Sequence, residues 1–246
     1  MSFTDSAGAP WEGRSFSENA FSDDDGSESS AITTATKQFW ERQISFAELL
    51  AAFKDSRVLI PLLPKAAGTK IGNHGLEVDT SSDMHIVAIE GPDKLPALPI
   101  FTSTANLQTW SKTARPVPSQ FERALLAAAS EGQTRVIVNP GSENWFAIRR
   151  PAIEALAQQK TWVDPEDNPE VKALVSSAIR NTDILGFRLV STDPNKQLQA
   201  EELGVLLKLK PDAMKDKKLI VADFLSALEY EKFNLLVDSL KISVVD

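Results

Sequence analysis

Two polar breaks, each at the end of a short apolar run, carry the residue types best suited to binding chemistry. The first run ends in Thr102 and Ser103, and the second ends in Asn139. A helix that starts at Thr102 or Ser103 offers hydroxyls and unpaired backbone amides, which bind a carboxylate or a phosphate. Trp110 is placed to form a wall. These four residues are therefore a candidate binding site for a small anion.

The same residues also have a purely structural interpretation. Ser or Thr at such a position caps a helix, and Asn139 before Pro140 forms a turn. Trp110 follows an apolar strand by about two helical turns, which predicts a core position and a cost of about 3–5 kcal/mol for Trp110→Ala. Both interpretations stay open from the sequence alone.

Few residues could support catalysis. The chain has no cysteine and only two histidines, His74 and His85, which excludes disulfides, thiolate metal sites and cysteine nucleophiles. There is no Gly-x-Ser-x-Gly elbow and no dinucleotide fingerprint. Residues 68–72 lack the ending of a phosphate loop, and residues 23–28 lack the spaced ligands of a calcium loop. We expect no catalytic residue, no metal and no cofactor.

Charge is unevenly distributed along the chain. The net charge is -8, and residues 1–30 alone carry seven acids and one base, so the remainder is close to neutral. A nucleic-acid binder needs clustered positive charge, and a membrane span needs about 18 or more consecutive apolar residues. Neither pattern is present, and no signal-peptide pattern is visible. We therefore expect a cytoplasmic protein with no nucleic-acid or membrane partner.

The acidic leader, residues 1–30, has the composition of a solvated, flexible segment. Phe16 and Phe21 interrupt its polar run, which supports a second hypothesis. In that hypothesis the leader docks on the body of the protein with its aromatic rings buried. Residues 23–25 would then lie near basic side chains.

The first half of the chain predicts one long helix and a meander of strands. Apolar spacing favours a helix from Thr36 to Phe53. Strands are expected at 57–64, 84–89 and 97–101, paired antiparallel, with Pro61 indicating an edge or a bulge. Residues 116–119 contain two prolines and are therefore predicted to form an irregular segment.

The second half predicts the order helix–strand–strand–helix–strand. Its elements are a helix at 171–180, a hairpin of strands at 184–191 and 203–209, a helix at 213–229 and a strand at 241–245.

The fold class expected is α/β of the α+β kind, with two small domains. Each should be a mixed or mainly antiparallel sheet packed with helices. The domain organisation is a leader at 1–30, a domain at 31–163, a linker at 164–169 and a smaller domain at 170–246.

Several stretches resemble the SseB (enhanced serine sensitivity) family, in particular its actinobacterial members with N-terminal and C-terminal domains. The stretches that carry the resemblance are Leu98–Ser103 with Trp110, Val136–Pro140, Val58–Leu63, the leader at 13–26 and, less distinctly, residues 178–209 with the terminal helix and strand. The resemblance implies a pair of bacterial α/β domains and brings no catalytic residues.

The function expected is that of a non-enzymatic cytoplasmic binding protein of the SseB type. Its partner would be another protein or a small anionic ligand. The alternative is an enzyme or regulator of serine or amino-acid metabolism with a site near Thr102, Ser103 and Asn139.

Overall fold

The computed structural model describes residues 21, 23–64 and 84–245; Phe16, His74 and the glycine-containing run 68–72 lie outside these residues. The helices are α1 (Ser30–Trp40), α2 (Phe46–Ala52), α3 (Thr104–Trp110), α4 (Phe121–Ser130), α5 (Arg150–Ala157), α6 (Pro169–Ala178), α7 (Lys217–Ala227) and α8 (Tyr230–Phe233). The strands are β1 (Arg57–Pro64), β2 (Met84–Ile86), β3 (Ile89–Glu90), β4 (Pro96–Ile100), β5 (Arg115–Gln120), β6 (Arg135–Val138), β7 (Phe146–Arg149), β8 (Ile184–Ser191), β9 (Leu203–Leu209) and β10 (Leu240–Val245).

The strands of the described residues form three small sheets, of order β2-β1-β5, β3-β4-β6-β7 and β10-β9-β8. Pairing is antiparallel except for β4 with β6 and β9 with β10, which are parallel. The expected α+β class, with small mixed or mainly antiparallel sheets packed with helices, is confirmed. The expected meander is confirmed for β1 with β2 and for β3 with β4. The parallel partner of β4 was not foreseen.

The larger hydrophobic core lies between residues 32 and 162 and is built around phenylalanine. Helices α1, α2, α4 and α5 contribute to it, together with the inner faces of β1, β4, β6 and β7. The Phe53 ring lies 5.1 Å from that of Phe121 and 5.9 Å from that of Phe146. These contacts hold α2 and α4 against the sheet and so fix the position of β4 and β6.

The single helix expected from Thr36 to Phe53 is wrong, because the chain breaks into α1 and α2. Arg42 has a left-handed φ of 60°, which ends the helical path. Ser45 then starts α2 with a capping box: its Oγ accepts from the Glu48 backbone N, and the Glu48 carboxylate accepts from the Ser45 backbone N.

Residues 115–120 form strand β5 and not the irregular segment that their prolines suggested. Strand β5 pairs with β1 and lies at the edge of its sheet, where a proline without an N–H donor is tolerated. The edge or bulge expected at Pro61 is wrong, because β1 is the central strand of this sheet and its register with β5 runs through Pro61 without a shift.

The smaller core lies between residues 171 and 237, where α6, α7 and α8 cover one face of the sheet β10-β9-β8. The hairpin of β8 and β9 is confirmed. The helix expected at 213–229 is shorter: a 3₁₀ turn occupies Pro211–Asp216, and α7 follows it. The domain boundaries drawn from the sequence stay a prediction.

Candidate functional site

The carboxyl ends of β4 and β6 bring Thr102 and Asn139 together. The two strands are parallel neighbours, so the chain leaves the sheet at the same edge twice. The Thr102 backbone N donates to Asn139 Oδ1 over 2.9 Å, and Asn139 Nδ2 donates to Thr102 Oγ1 over 2.8 Å. Asn139 has a left-handed φ of 51°, which Asn adopts more readily than most residues. The two polar breaks are thus joined by reciprocal hydrogen bonds.

Ser103 and Trp110 lie at the two ends of the short helix that begins at this edge. Ser103 Oγ accepts from the Asn106 backbone N over 3.1 Å and caps α3. Trp110 is half-buried, and its ring centroid lies 5.3 Å from that of Phe101. Trp110 packs on a small apolar cluster that is separate from the large core. The expectation that it lies in the main core is therefore wrong. Ligand binding by the four residues stays a prediction.

The chain's own acidic segment, residues 23–29, lies over this edge. Thr102 Oγ1 donates to the Glu28 carboxylate, and the Thr104 backbone N donates to the Gly26 carbonyl over 2.8 Å. Gly26 has a φ of 79°, and a Cβ there would collide with Thr104 Oγ1, so glycine is required for this approach. A carboxylate therefore does lie against Thr102, and it belongs to the same chain.

Arg57 holds the acidic segment from the side of β1. Its Nη2 donates to Asp24 Oδ1 over 2.6 Å and to the Ser27 carbonyl over 2.6 Å, while Nη1 donates to the Thr102 carbonyl over 2.8 Å. The expected proximity of the acidic residues to basic side chains is thus confirmed for Asp24. Hydrogen bonds from the side chain and backbone of Ser27 lower the pKa of the neighbouring Asp25 carboxyl.

Sequence reasoning missed both Arg57 and Glu28 as parts of this arrangement. The signal available for Arg57 was its position as a charged residue at the start of an otherwise apolar strand, which is uncommon unless the charge has a partner. Phe21 is half-buried, while Phe16 lies outside the described residues, so the burial of both rings stays a prediction.

A separate cavity of about 400 Å³ opens between the end of α2, the start of α4 and the segment after α5. Its apolar lining includes Leu50, Phe121, Leu156 and Trp162. Trp162 is only 6% exposed, so its ring forms a fixed wall. Volume and lining are those of a site for a small organic molecule.

Charged side chains surround the mouth of this cavity. Lys54 and Lys160 are exposed and form no ion pair with any described residue, although Asp55 and Glu122 also line the cavity. The Glu122 carboxylate is engaged, because its Oε1 accepts from the Asp55 backbone N over 3.0 Å. The two ammonium groups therefore remain available to an anion.

In residues 21, 23–64 and 84–245, no group of three or more histidine, aspartate or glutamate side chains is placed to hold a metal ion. No helix in the same residues has the length and apolar character needed to cross a membrane.

The family model of the SseB protein N-terminal domain matches residues 34–155, about half of the chain. The chain belongs to the SseB family. No curated protein and no solved structure matches it. The matched segment runs from α1 into α5 and contains Thr102, Ser103, Trp110 and Asn139, so the resemblance inferred from the sequence is confirmed for this domain. The resemblance of the whole chain to actinobacterial two-domain members stays a prediction.

The SseB domain contacts the second core through two buried arginines. Arg135 and Arg149 face each other across β6 and β7 and are 3% and 5% exposed. Arg135 donates from both terminal nitrogens to the Asp238 carboxylate over 2.8 Å. Arg149 donates to Asp193 Oδ2 over 2.8 Å and to Asp238 Oδ2 over 3.3 Å. Arg135 and Arg149 are therefore each paired with an aspartate that follows residue 170.

Glu202 lies buried beside this cluster. Its Oε2 accepts from the Asp238 backbone N over 2.6 Å. Burial raises the pKa of Glu202 to about 7, and the Asp238 N–H, Lys196 and Arg149 oppose the rise. Sequence reasoning gave these residues no role, because none of the pairs is close in the chain.

Proposed function

We propose that this SseB-family protein is a non-enzymatic binding protein whose ligand is a small amphipathic carboxylate held in the cavity between α2, α4 and α5. The observation that carries the proposal is the combination of an apolar lining with two exposed lysines, Lys54 and Lys160, that have no ion-pair partner among the described residues.

The chemistry of the lining selects the ligand class. An apolar body gains free energy by covering the exposed Ala51 and the half-buried Leu156, at about 25 cal/mol per Å² of apolar surface removed from water. A carboxylate at the mouth gains a charge-assisted hydrogen bond from each lysine that reaches it. Carboxylic acids with an apolar side chain, such as N-acylated or free apolar amino acids, satisfy both requirements.

The cavity is a better candidate than the edge at Thr102 because it is open. At Thr102 the hydroxyl already contacts the Glu28 carboxylate, Asn106 and Asn139, so a free anion must first displace residues 23–29. The alternative hypothesis, an enzyme or regulator of serine or amino-acid metabolism acting at Thr102, Ser103 and Asn139, has one supporting observation. Glu28 accepts a hydrogen bond from Thr102 Oγ1, the contact that a general base makes.

The test is a thermal-shift and calorimetric titration with N-acetyl-leucine, leucine and leucine amide. These probes share an apolar side chain and differ in charge. A ligand at 100 times its Kd stabilises by about 2.7 kcal/mol, so we expect a clear shift with N-acetyl-leucine and none with leucine amide.

Two variants locate the site. Lys54→Ala/Lys160→Ala should abolish the response, and Ala51→Phe should block the cavity, since Ala51 is an exposed lining residue. Matched controls are Lys112→Ala/Lys172→Ala and Ala129→Phe, which change exposed residues outside the cavity lining. A flat response to all three probes at millimolar concentration would exclude the proposal, as would binding that both site variants retain.

A further inference from the structure

Strand β10 is the free edge of the second sheet. It pairs in parallel with β9 through residues 240–245, and no described strand pairs with its other side. Such an edge presents a row of unpaired backbone N–H and C=O groups to any extended chain that approaches it.

One face of this sheet carries three cations that form no ion pair with a described residue. The register places Lys241 and Val245 of β10 beside Gly204 and Lys208 of β9, on the face away from the helices. Arg188 of β8 lies on the same face. With neighbouring strands about 4.8 Å apart, these three cations lie within about 15 Å of one another.

A neighbouring cation of the same sheet does have a partner. Lys210, at the end of the same sheet, is paired with Asp183 at 3.2 Å. Arg188, Lys208 and Lys241 are exposed and form no ion pair with any described residue. The face is therefore positive, although the chain as a whole is negative.

The other side of the β10 edge is also basic. A shallow depression of about 330 Å³ lies there, lined by Lys217, Lys218, Val221 and Val244. Among the described residues, no carboxylate lines it. Both sides of the free edge thus combine lysine with a valine side chain.

We propose that the β10 edge binds an extended acidic segment of a partner protein by strand addition. The partner's backbone would pair with β10, and its alternate side chains would fall on the two sides of the edge. Carboxylates would meet Lys241 on one side and Lys217 and Lys218 on the other. This inference concerns a different surface from the cavity and goes beyond the ligand-binding function.

The charge balance favours a peptide over a nucleic acid. A net charge of -8 repels a long polyanion, whereas a short acidic strand meets only the local positive field around the edge. A short apolar residue in the strand is also accommodated, since Val221 and Val244 line the depression.

The test is fluorescence anisotropy with a labelled ten-residue peptide in which pairs of glutamates alternate with pairs of valines, so that an added strand presents glutamate on both sides of the edge. Three comparison probes are the same peptide N-methylated at alternate residues, its lysine–valine counterpart and a ten-nucleotide single-stranded DNA. The variant is Lys217→Glu/Lys218→Glu/Lys241→Glu. The control, Lys112→Glu/Arg123→Glu/Lys172→Glu, makes the same change in net charge at exposed residues elsewhere.

We expect saturable binding of the glutamate–valine peptide that the edge variant weakens by about tenfold or more and the control changes by less than about threefold. N-methylation should weaken binding comparably, because it removes strand pairing. Equal binding of the N-methylated peptide or tighter binding of the DNA would overturn the proposal, as would the absence of binding. Light scattering supplies a further check: a dimer of the unliganded protein that the edge variant dissociates would show that a second copy covers β10, which also overturns it.

Discussion

Replacing Glu202 by glutamine should make the protein more stable at neutral and alkaline pH. Glu202 is 4% exposed, and its carboxylate accepts one hydrogen bond, from the Asp238 backbone N at 2.6 Å. Burial raises its pKa from the ordinary value of 4.5 to about 7. Glutamine keeps an oxygen for the Asp238 N–H and cannot ionise.

The sign follows from which state holds the proton. Between pH 4.5 and 7 the unfolded chain ionises Glu202 while the folded protein keeps it protonated, so the free energy of unfolding falls as pH rises. Above pH 7 both states are ionised and the loss is complete. Because one pKa unit corresponds to about 1.4 kcal/mol, the total loss is about 3 kcal/mol.

Urea unfolding of the wild type and Glu202→Gln at pH 5 and pH 8 measures this effect. The two proteins should differ by less than about 1 kcal/mol at pH 5, and the variant should be more stable by about 3 kcal/mol at pH 8. Glu201→Gln is the control, since the neighbouring Glu201 is half-buried and should show no such change. A difference that is the same at both pH values, or a variant that is less stable at pH 8, would refute the reasoning.

Three further substitutions test individual contacts by urea unfolding. Asp238→Ala removes the carboxylate shared by two buried arginines and should cost about 3–5 kcal/mol; a cost under about 1 kcal/mol would show the pairs to be dispensable. Asn139→Ala and Asn139→Gly both lose the two hydrogen bonds to Thr102, but only alanine is strained at the left-handed φ of this position. Asn139→Ala should therefore cost about 1 kcal/mol more than Asn139→Gly. Trp110→Ala should cost about 1–3 kcal/mol, below the value for a core tryptophan, because the half-buried ring packs mainly on Phe101; a loss of 4 kcal/mol or more would contradict this.

Much of the fold could be predicted because it depends on local patterns. Apolar runs bounded by polar residues located the strand cores of β4, β6, β8 and β9, and the SseB motifs fall on the first two of these strands. The break between α1 and α2 was also encoded locally, in the capping box of Ser45 and Glu48. Helical periodicity across the break concealed it, since apolar residues on both sides of Arg42 keep the same spacing.

Strand β5 could not be predicted from its own residues. Pro116 and Pro118 lower the expectation of a strand, and what makes them acceptable is the position of β5 at the edge beside β1. That position depends on pairing over more than 50 residues of chain, as Arg57 with Gln120 shows. Edge and centre are properties of the sheet and not of the strand sequence.

The candidate site was predictable in part for the same reason. Thr102, Ser103 and Asn139 stand out because each ends an apolar strand, and the parallel pairing of those strands brings them together. Glu28 and Arg57 complete the arrangement across gaps of 74 and 45 residues from Thr102. No spacing rule connects such residues before the sheet order is known.

The buried cluster between the two cores shows why net charge is a poor guide to pairing. Residues 31–246 are close to neutral, which suggests nothing about ion pairs. Like charges directly opposite on adjacent strands are destabilising, yet the register places two arginines in that position on β6 and β7. Three aspartates balance the two arginines: Arg135 pairs with Asp93 and Asp238, and Arg149 pairs with Asp193 and Asp238.

Ionising Glu202 adds a fourth carboxylate next to Asp238, whose charge raises the pKa of Glu202 further. Lys196 and Arg149 oppose that rise, but the loss of hydration on burial outweighs them. The raised pKa of Glu202 therefore reflects its burial, and the contact between the SseB domain and the second core is most favourable when Glu202 is protonated.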